Sequence, residues 1–497
     1  MELCKEFKPV CLNEGRERLT ENYEIDFQEN LPQYLDDIDK IIRCSVNNCV
    51  VNYDITDSKL NIHGKSMICI TYLNKDGCTL SNIFEEEFTK SIDVENGDGV
   101  SFAVIRLNQK YSNFRLINQR RIDVHVSLCF YITLYRKDEK NCLSSCENAF
   151  TKNANIPCLV NKNAGIFTAD FDETFSVSGS DSQIRNIVNT YSTCVLDETK
   201  IIKEKMLVKL KIEVSVLYLS DENNMEKCSH SFTLSKIVDV SDSDENDVAL
   251  VSAEVCDLYV KTKTDSHDLI NEIELVGSVS VNYRICTTDE QTFITDSYMP
   301  LYNTQVKKEK ITVKQSPKYY YDDRSDEIIF DSEKNIIEII DLKPGIENCS
   351  VENSVLKIPV CLSFLYYDDD SRLCHYEKCS EITFKLCDEE YDGEAAVNMI
   401  SYDFVIKGAD KISLRINYTY RAYLYRKKTV EYLTDIDVSG EKDDMNMPEL
   451  TLYFADKSES IWDIAKKFST DMNLIMEENN LSSDIIENKM VLLVPGM

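Results

Sequence analysis

The chain has 497 residues, too many for one core, and at 43% hydrophobic it carries enough apolar material for three or four domains. Its 87 Asp and Glu against 55 Lys and Arg leave a formal charge of −32, which repels phosphate backbones and anionic lipid and argues against nucleic-acid and membrane-surface partners. No apolar run approaches membrane-spanning length and the N-terminus has no basic region leading into an apolar one, so a cytoplasmic protein with no direct membrane insertion is expected.

Residues 1–30 read as a polar lead-in. A long internal repeat follows. An alternating apolar strand that ends in a tyrosine and runs into a polar turn occurs three times, from Ser66, Lys209 and Lys357, with Tyr72, Tyr218 and Tyr366 as anchors. A second strand closes each unit, from Ile122, Ile273 and Ile412. In the last of these Ile412, Leu414, Ile416, Tyr418, Tyr420, Ala422 and Leu424 share one face, with Ser413, Arg415, Asn417, Thr419 and Arg421 on the other. Period two with one polar face marks antiparallel strands in a sandwich or open barrel. The fold class expected is therefore mainly β, with three tandem β-domains at 31–145, 169–305 and 329–436. Helical spacing is confined to short stretches at Leu35 to Ile42 and Gln183 to Val188. A Cys/Asn-rich connector near 140–168, a linker at 306–328 and a flexible tether at 437–448 complete the division.

Catalytic and metal-binding patterns are missing. His63-Gly64-Lys65-Ser66 lacks the earlier glycine of a phosphate-binding loop and runs into a strand, and there is no GxSxG or HExxH. The five histidines (His63, His125, His230, His267, His375) have no ligand spacing, so neither a cofactor nor a metal nor an enzymatic activity is expected. The 19 cysteines are an odd number without a CxxC pair, and buried reduced thiols are the expectation.

The stretch 449–497 has a different pattern. Leu450 to Phe454 read as a strand, and Ser460 with Asp463 as the cap of a helix whose apolar positions are Ile461, Ile464, Ala465 and Phe468. Thr470 is placed to cap a second helix with Met472, Ile475 and Met476 inward; Met490 to Val494 form a closing strand. Tyr453, Ser460 to Phe468 with Trp462, Asn479-Asn480-Leu481 and Leu493-Val494-Pro495 together resemble the LysM module, a small βααβ fold that binds glycans or proteins. Ser458-Glu459-Ser460 stands where that family usually has Gly-Asp-Thr, and Asn488-Lys489 where a Gly-Gln pair is common. With Tyr453 and Ala455 inward, Leu450, Leu452 and Phe454 face outward together, a surface that something should cover. Trp462, the only tryptophan, is expected to pack on the Ile461/Ala465 face of its helix and, half-buried there, is also a candidate anchor at the edge of a partner site.

The repeat resembles the SPOCS domain of spore-forming Firmicutes, most closely from Val208 through His230 to the strand at Ile273. Three such units followed by a LysM module are similar to the SipL-type family of spore coat morphogenetic proteins of clostridia. The resemblance implies a non-enzymatic scaffold at the forespore surface in the mother cell. Its LysM module would contact the coat-basement ATPase SpoIVA, and its β-domains other coat proteins. The candidate partner-binding residues are Leu450, Leu452, Phe454, Ser458, Ile461, Trp462 and Leu481. Alternatives are a LysM protein gripping N-acetylglucosamine of peptidoglycan, or a self-assembling coat or exosporium component.

Overall fold

The computed structural model describes residues 4–496 except 12–14, 57, 96–98, 137–138, 178–182, 223, 266–268, 333, 347–348, 371 and 443–447. His267 and residues 443–447 of the expected tether thus lie outside the described residues. The first unit contributes β1 (Lys5–Cys11), β2 (Gly15–Asn30), β3 (Lys40–Thr56), β4 (Lys59–Leu73), β5 (Thr79–Asp93), β6 (Val100–Asn118), β7 (Arg121–Arg136) and β8 (Glu139–Cys146). The second has β9 (Phe150–Ser176), β10 (Ile184–Ile202), β11 (Lys205–Ser220), β12 (Met225–Asp239), β13 (Val248–Thr264) and β14 (Ile270–Tyr298). The third has β15 (Tyr302–Asp331), β16 (Glu338–Ile346), β17 (Ser350–Glu352), β18 (Val355–Tyr367), β19 (Leu373–Lys385), β20 (Asp392–Lys407) and β21 (Lys411–Glu441). The terminal module is β22 (Leu450–Ala455), α1 (Ile461–Phe468), α2 (Met472–Glu478) and β23 (Met490–Pro495). The protein is mainly β with a small α+β module at its C-terminus.

The units share one plan. Two antiparallel three-stranded layers, β3-β4-β5 with β2-β7-β6, β10-β11-β12 with β13-β14-β9, and β16-β18-β19 with β15-β21-β20, sandwich one apolar core, and in the third unit β17 pairs with both β18 and β20 and joins the two layers into one seven-stranded sheet. Alternation decides which side chains enter it: Ile412, Leu414, Ile416, Tyr418, Ala422 and Leu424 have no accessible surface. The anchor tyrosines are buried, and each lies opposite an isoleucine that begins a bulge: Tyr72 with Ile41, Tyr218 with Ile187, Tyr366 with Ile339. After the extra residue, Arg43, Asn189 and Asp341 occupy matching positions. A bulge bends its strand and re-aims the next side chain. Here it turns three polar groups toward one another.

They meet where the units meet. Tyr191 donates to the Asp341 carboxylate and accepts from Arg43 and, at 2.7 Å, from Asn189 Nδ2. Arg43 and Asp341 lie 3.6 Å apart. All four side chains are buried, and the cost of burying them is offset only because each has a partner from another unit.

The structure corrects the division expected from composition. Residues 5–11 and 15–30 are not a lead-in: β2 pairs with β7 along its whole length, and β1 with β8. The connector at 140–168 lies in β8 and β9, and the linker at 306–328 lies within β15, paired to β21. Residues 437–441 of the expected tether continue β21. Leu35 to Ile42 is a loop entering β3, and Gln183 to Val188 opens β10, so neither is helical. β2 reads as polar because it is an outer strand of its layer, and β1, β8 and the outer parts of β9, β15 and β21 because they run beyond the sandwiches as two-stranded ribbons with one face in water. The inner faces of the three ribbons pack on each other through Val10 and Cys142, Ile156, Cys158 and Phe293, and Val313, Val430 and Tyr432, forming a stem beneath the three units. Lys5 Nζ reaches Asp435 Oδ1 at 2.6 Å, tying the first ribbon to the third.

The cysteines also differ from expectation. Cys49 joins Cys256 between the first and second units, and Cys361 joins Cys379 across β18 and β19. Buried Cys129, Cys142, Cys146 and Cys286 are free thiols.

Candidate functional site

The terminal module is assembled around Ala455, Ile461, Ile464, Ala465, Ile475, Leu492 and Val494. β22 pairs with β23 so that Leu450 faces Pro495, Leu452 faces Leu493 and Phe454 faces Val491. These pairs share the outer side of a two-stranded sheet. Leu450 is 52% exposed, Leu452 62% and Phe454 77%, with Val491 at 46% beside them. Five apolar side chains thus lie side by side in water. Their alternates Tyr453, Ala455, Leu492 and Val494 build the core, so the face is forced outward by period two.

Ser458 has φ 71°, and its N–H donates to Ile486 O at 2.7 Å. Ile486 N–H returns a bond to Glu459 O, and Ile461 N–H bonds Asp484 O. The loops 456–460 and 481–488 are therefore laced to each other. Glu459 also holds the turn, accepting from Tyr453 Oη at 2.8 Å and from Asp456 N–H at 2.9 Å. Ser460 sits at the N-cap of α1 without a side-chain bond, and Asp471, not Thr470, caps α2 through Asn473 N–H at 2.8 Å. Thr470 N–H instead closes the end of α1 on Ala465 O.

Ile461 is fully buried in the module core and does not present its side chain to a partner as expected, while Leu481 is half-buried against that core. Trp462 is occupied as well. Its Nε1 donates to Asp296 Oδ2 at 2.9 Å, and its ring meets Tyr298 edge-on at 5.0 Å. Lys466, one turn on, reaches both Asp296 oxygens at 2.8 and 2.7 Å. Tyr298 Oη donates to Thr470 O at 2.6 Å, and Lys442 Nζ bonds Ser469 Oγ at 2.6 Å and Met299 O at 2.9 Å. Burial works against the Asp296 carboxylate, but the Lys466 ammonium and the Trp462 N–H outweigh it and hold the carboxyl below the ordinary aspartate range. The module is therefore docked through Trp462 on the end of β14. That leaves the Leu450–Leu452–Phe454 face free.

Sequence reasoning placed Leu450, Leu452, Phe454 and exposed Ser458 at this end of the molecule. It missed Val491, which follows from pairing β22 with β23, and Asp296, Tyr298 and Lys466, whose meeting no local pattern announces.

Residues 183–263 match the family described as SipL, SPOCS domain. Residues 457–495 match the LysM domain. No curated protein and no solved structure matches the chain. The SPOCS match falls within the second unit, whose layer order the first and third share. The two domains connect the chain with sporulation and the spore coat, and the LysM domain with peptidoglycan-type or protein binding. Among the described residues no helix is long and apolar enough to cross a membrane.

Proposed function

We propose that this chain, uniting a SipL-type SPOCS domain with a LysM domain, is a non-enzymatic adaptor of endospore coat assembly that works in the mother cell at the forespore surface. The Leu450–Leu452–Phe454 face of the LysM module binds the coat-basement ATPase SpoIVA. The β-units hold the coat to the forespore surface. The observation that carries this reading is the exposed apolar face on a module already docked through its other side. A flat apolar sheet suits a protein surface. A sugar site needs polar groups converging beside an aromatic ring, and here the loop backbones bond each other.

The test is binding of the full chain to immobilised SpoIVA, and in parallel to peptidoglycan and chitin oligomers, for wild type, Leu452→Asp and Phe454→Asp. Both positions are exposed, so stability should change by no more than about 0.5 kcal/mol while SpoIVA binding is lost. Binding to glycan alone would replace this reading with a cell-wall one. Concentration-dependent self-association in place of either would favour a self-assembling coat component.

A further inference from the structure

The two disulfides have opposite surroundings. Cys49 and Cys256, which join the first unit to the second, are each 1% exposed. Cys361 and Cys379 lie directly opposite one another on β18 and β19, and their neighbours Val360 and Leu362 fill the core, so the pair stands on the outer face of the sheet. Cys361 is half-buried there and Cys379 is exposed. This outer bridge adds little that the fold lacks. It spans 18 residues of sequence, against 207 for the first, and the hairpin it crosses is already paired from Val355 with Lys385 to Tyr367 with Leu373. A bridge over a short, paired hairpin removes less chain entropy than one that ties two units together.

Exchange of a disulfide needs a thiolate to reach one of its sulfurs, so access decides which bridge reacts. Charge decides what approaches. Glu377 and Glu381 stand two places to either side of Cys379, share its face and are exposed. Lys357, on the same face of β18, is turned to Glu352 at 3.0 Å. In a chain of formal charge −32, an anionic thiol is repelled from this face and a thiol carried among cations is drawn to it.

From this arrangement we propose that Cys379 is a thiol-exchange site on the third unit, taking a partner protein's cysteine that is set among basic residues. The incoming thiolate attacks Cys379 Sγ. The Cys361–Cys379 bond breaks, Cys361 leaves as a thiolate that takes a proton from solvent, and the new bond joins the partner to β19. One S–S bond forms as one breaks, so no oxidant or reductant is consumed, and attack by Cys361 on the mixed bond reverses the step. The Cys49–Cys256 bridge stays closed throughout. The site is separate from the Leu450–Leu452–Phe454 face and does not depend on what that face binds.

The test uses the full chain with its accessible free thiols first blocked by N-ethylmaleimide, then treated with cysteamine, mercaptoethanol or mercaptopropionate at matched thiolate concentration. Newly released cysteines are labelled with iodoacetamide and located by peptide mass spectrometry, with the melting transition followed in parallel. Cys361 and Cys379 should open about tenfold or more faster than Cys49 and Cys256 while the protein stays folded, and fastest with the cationic thiol, slowest with the anionic one. Glu377→Gln combined with Glu381→Gln should compress that order and leave mercaptoethanol unchanged. A short peptide with a cysteine between lysines, quenched in acid, should be trapped on Cys379. Equal opening of both bridges, opening only as the folded transition is lost, an order of thiols that the paired substitution does not change, or trapping on Cys361 would each overturn the proposal.

Discussion

Replacing Asp296 by alanine should undock the terminal module without unfolding it. The carboxylate accepts one bond from the Trp462 indole and two close contacts from the Lys466 ammonium. Hydrogen bonds to a charged group are worth about 1.5–3 kcal/mol each where water is excluded. Asp296 is 19% exposed, but the Lys466 side chain is 40% exposed, which puts the lysine contribution nearer 1 kcal/mol. Together the loss is about 3 kcal/mol, or two powers of ten in the docking equilibrium. Tyr298 and Lys442 keep their bonds to Thr470 and Ser469, so docking weakens without vanishing. Trp462 is the chain's only tryptophan, and its emission reports the contact directly. Asp296→Ala should move that emission to the red and relieve quenching by Tyr298, with Asp296→Asn intermediate because its amide oxygen still accepts from the indole. Acid should act the same way. The docked carboxyl holds its proton less tightly than a free one, so its contribution is complete above the ordinary aspartate value of 3.8 and fades as pH falls below it. Identical emission from Asp296→Ala and wild type at neutral pH would refute the docking argument.

Three further expectations concern the framework. Reducing or replacing the Cys49–Cys256 pair should lower stability by about 2–4 kcal/mol in calorimetry, since it closes a loop of 207 residues between two units. Tyr191→Phe removes the hydroxyl shared by Arg43, Asn189 and Asp341; chemical denaturation should show a loss of about 1–3 kcal/mol, against under about 0.5 for exposed Tyr34→Phe. Gly64→Ala should be destabilising by about 1–3 kcal/mol, because the new methyl would stand 2.2 Å from the Phe88 ring and 2.6 Å from Cys49 O.

What the sequence discloses follows burial on one face. Tyr72, Tyr218 and Tyr366 end strands whose alternation is clean because one face meets a core, so three units and their mainly β class are legible without coordinates. The helices at Ile461–Phe468 and Met472–Glu478 are legible for a similar reason, their apolar spacing being imposed by a small closed module. The ribbons are not. Val306 to Lys310 in β15 carries three lysines and a glutamate, since most of it lies in water, and its partner β21 is more than a hundred residues away. Composition cannot tell such an edge strand from a linker. At the candidate site the outward row Leu450, Leu452 and Phe454 follows from period two with Tyr453 and Ala455 inward, whereas for Trp462 the sequence offers core packing or an anchor but not its partner, because Asp296 lies 166 residues earlier in the chain.

The stem sets an order of events during synthesis. Val10 and Cys142 leave the ribosome early, but of the residues that cover them Val313 comes past mid-chain and Val430 and Tyr432 come late. At ordinary translation speeds of about 5–20 residues per second, the wait from Cys146 to Ile436 is roughly 15–60 s. The first two sandwiches can close in that time, each holding its own core strands, while the ribbon faces stay open to nascent neighbours or chaperones. Closure by β21 ends this exposure, and only then does the docking ledge at the end of β14 receive the module that follows. A chain cut short therefore leaves an open stem and no seated LysM module, so its binding face is presented only after translation is complete.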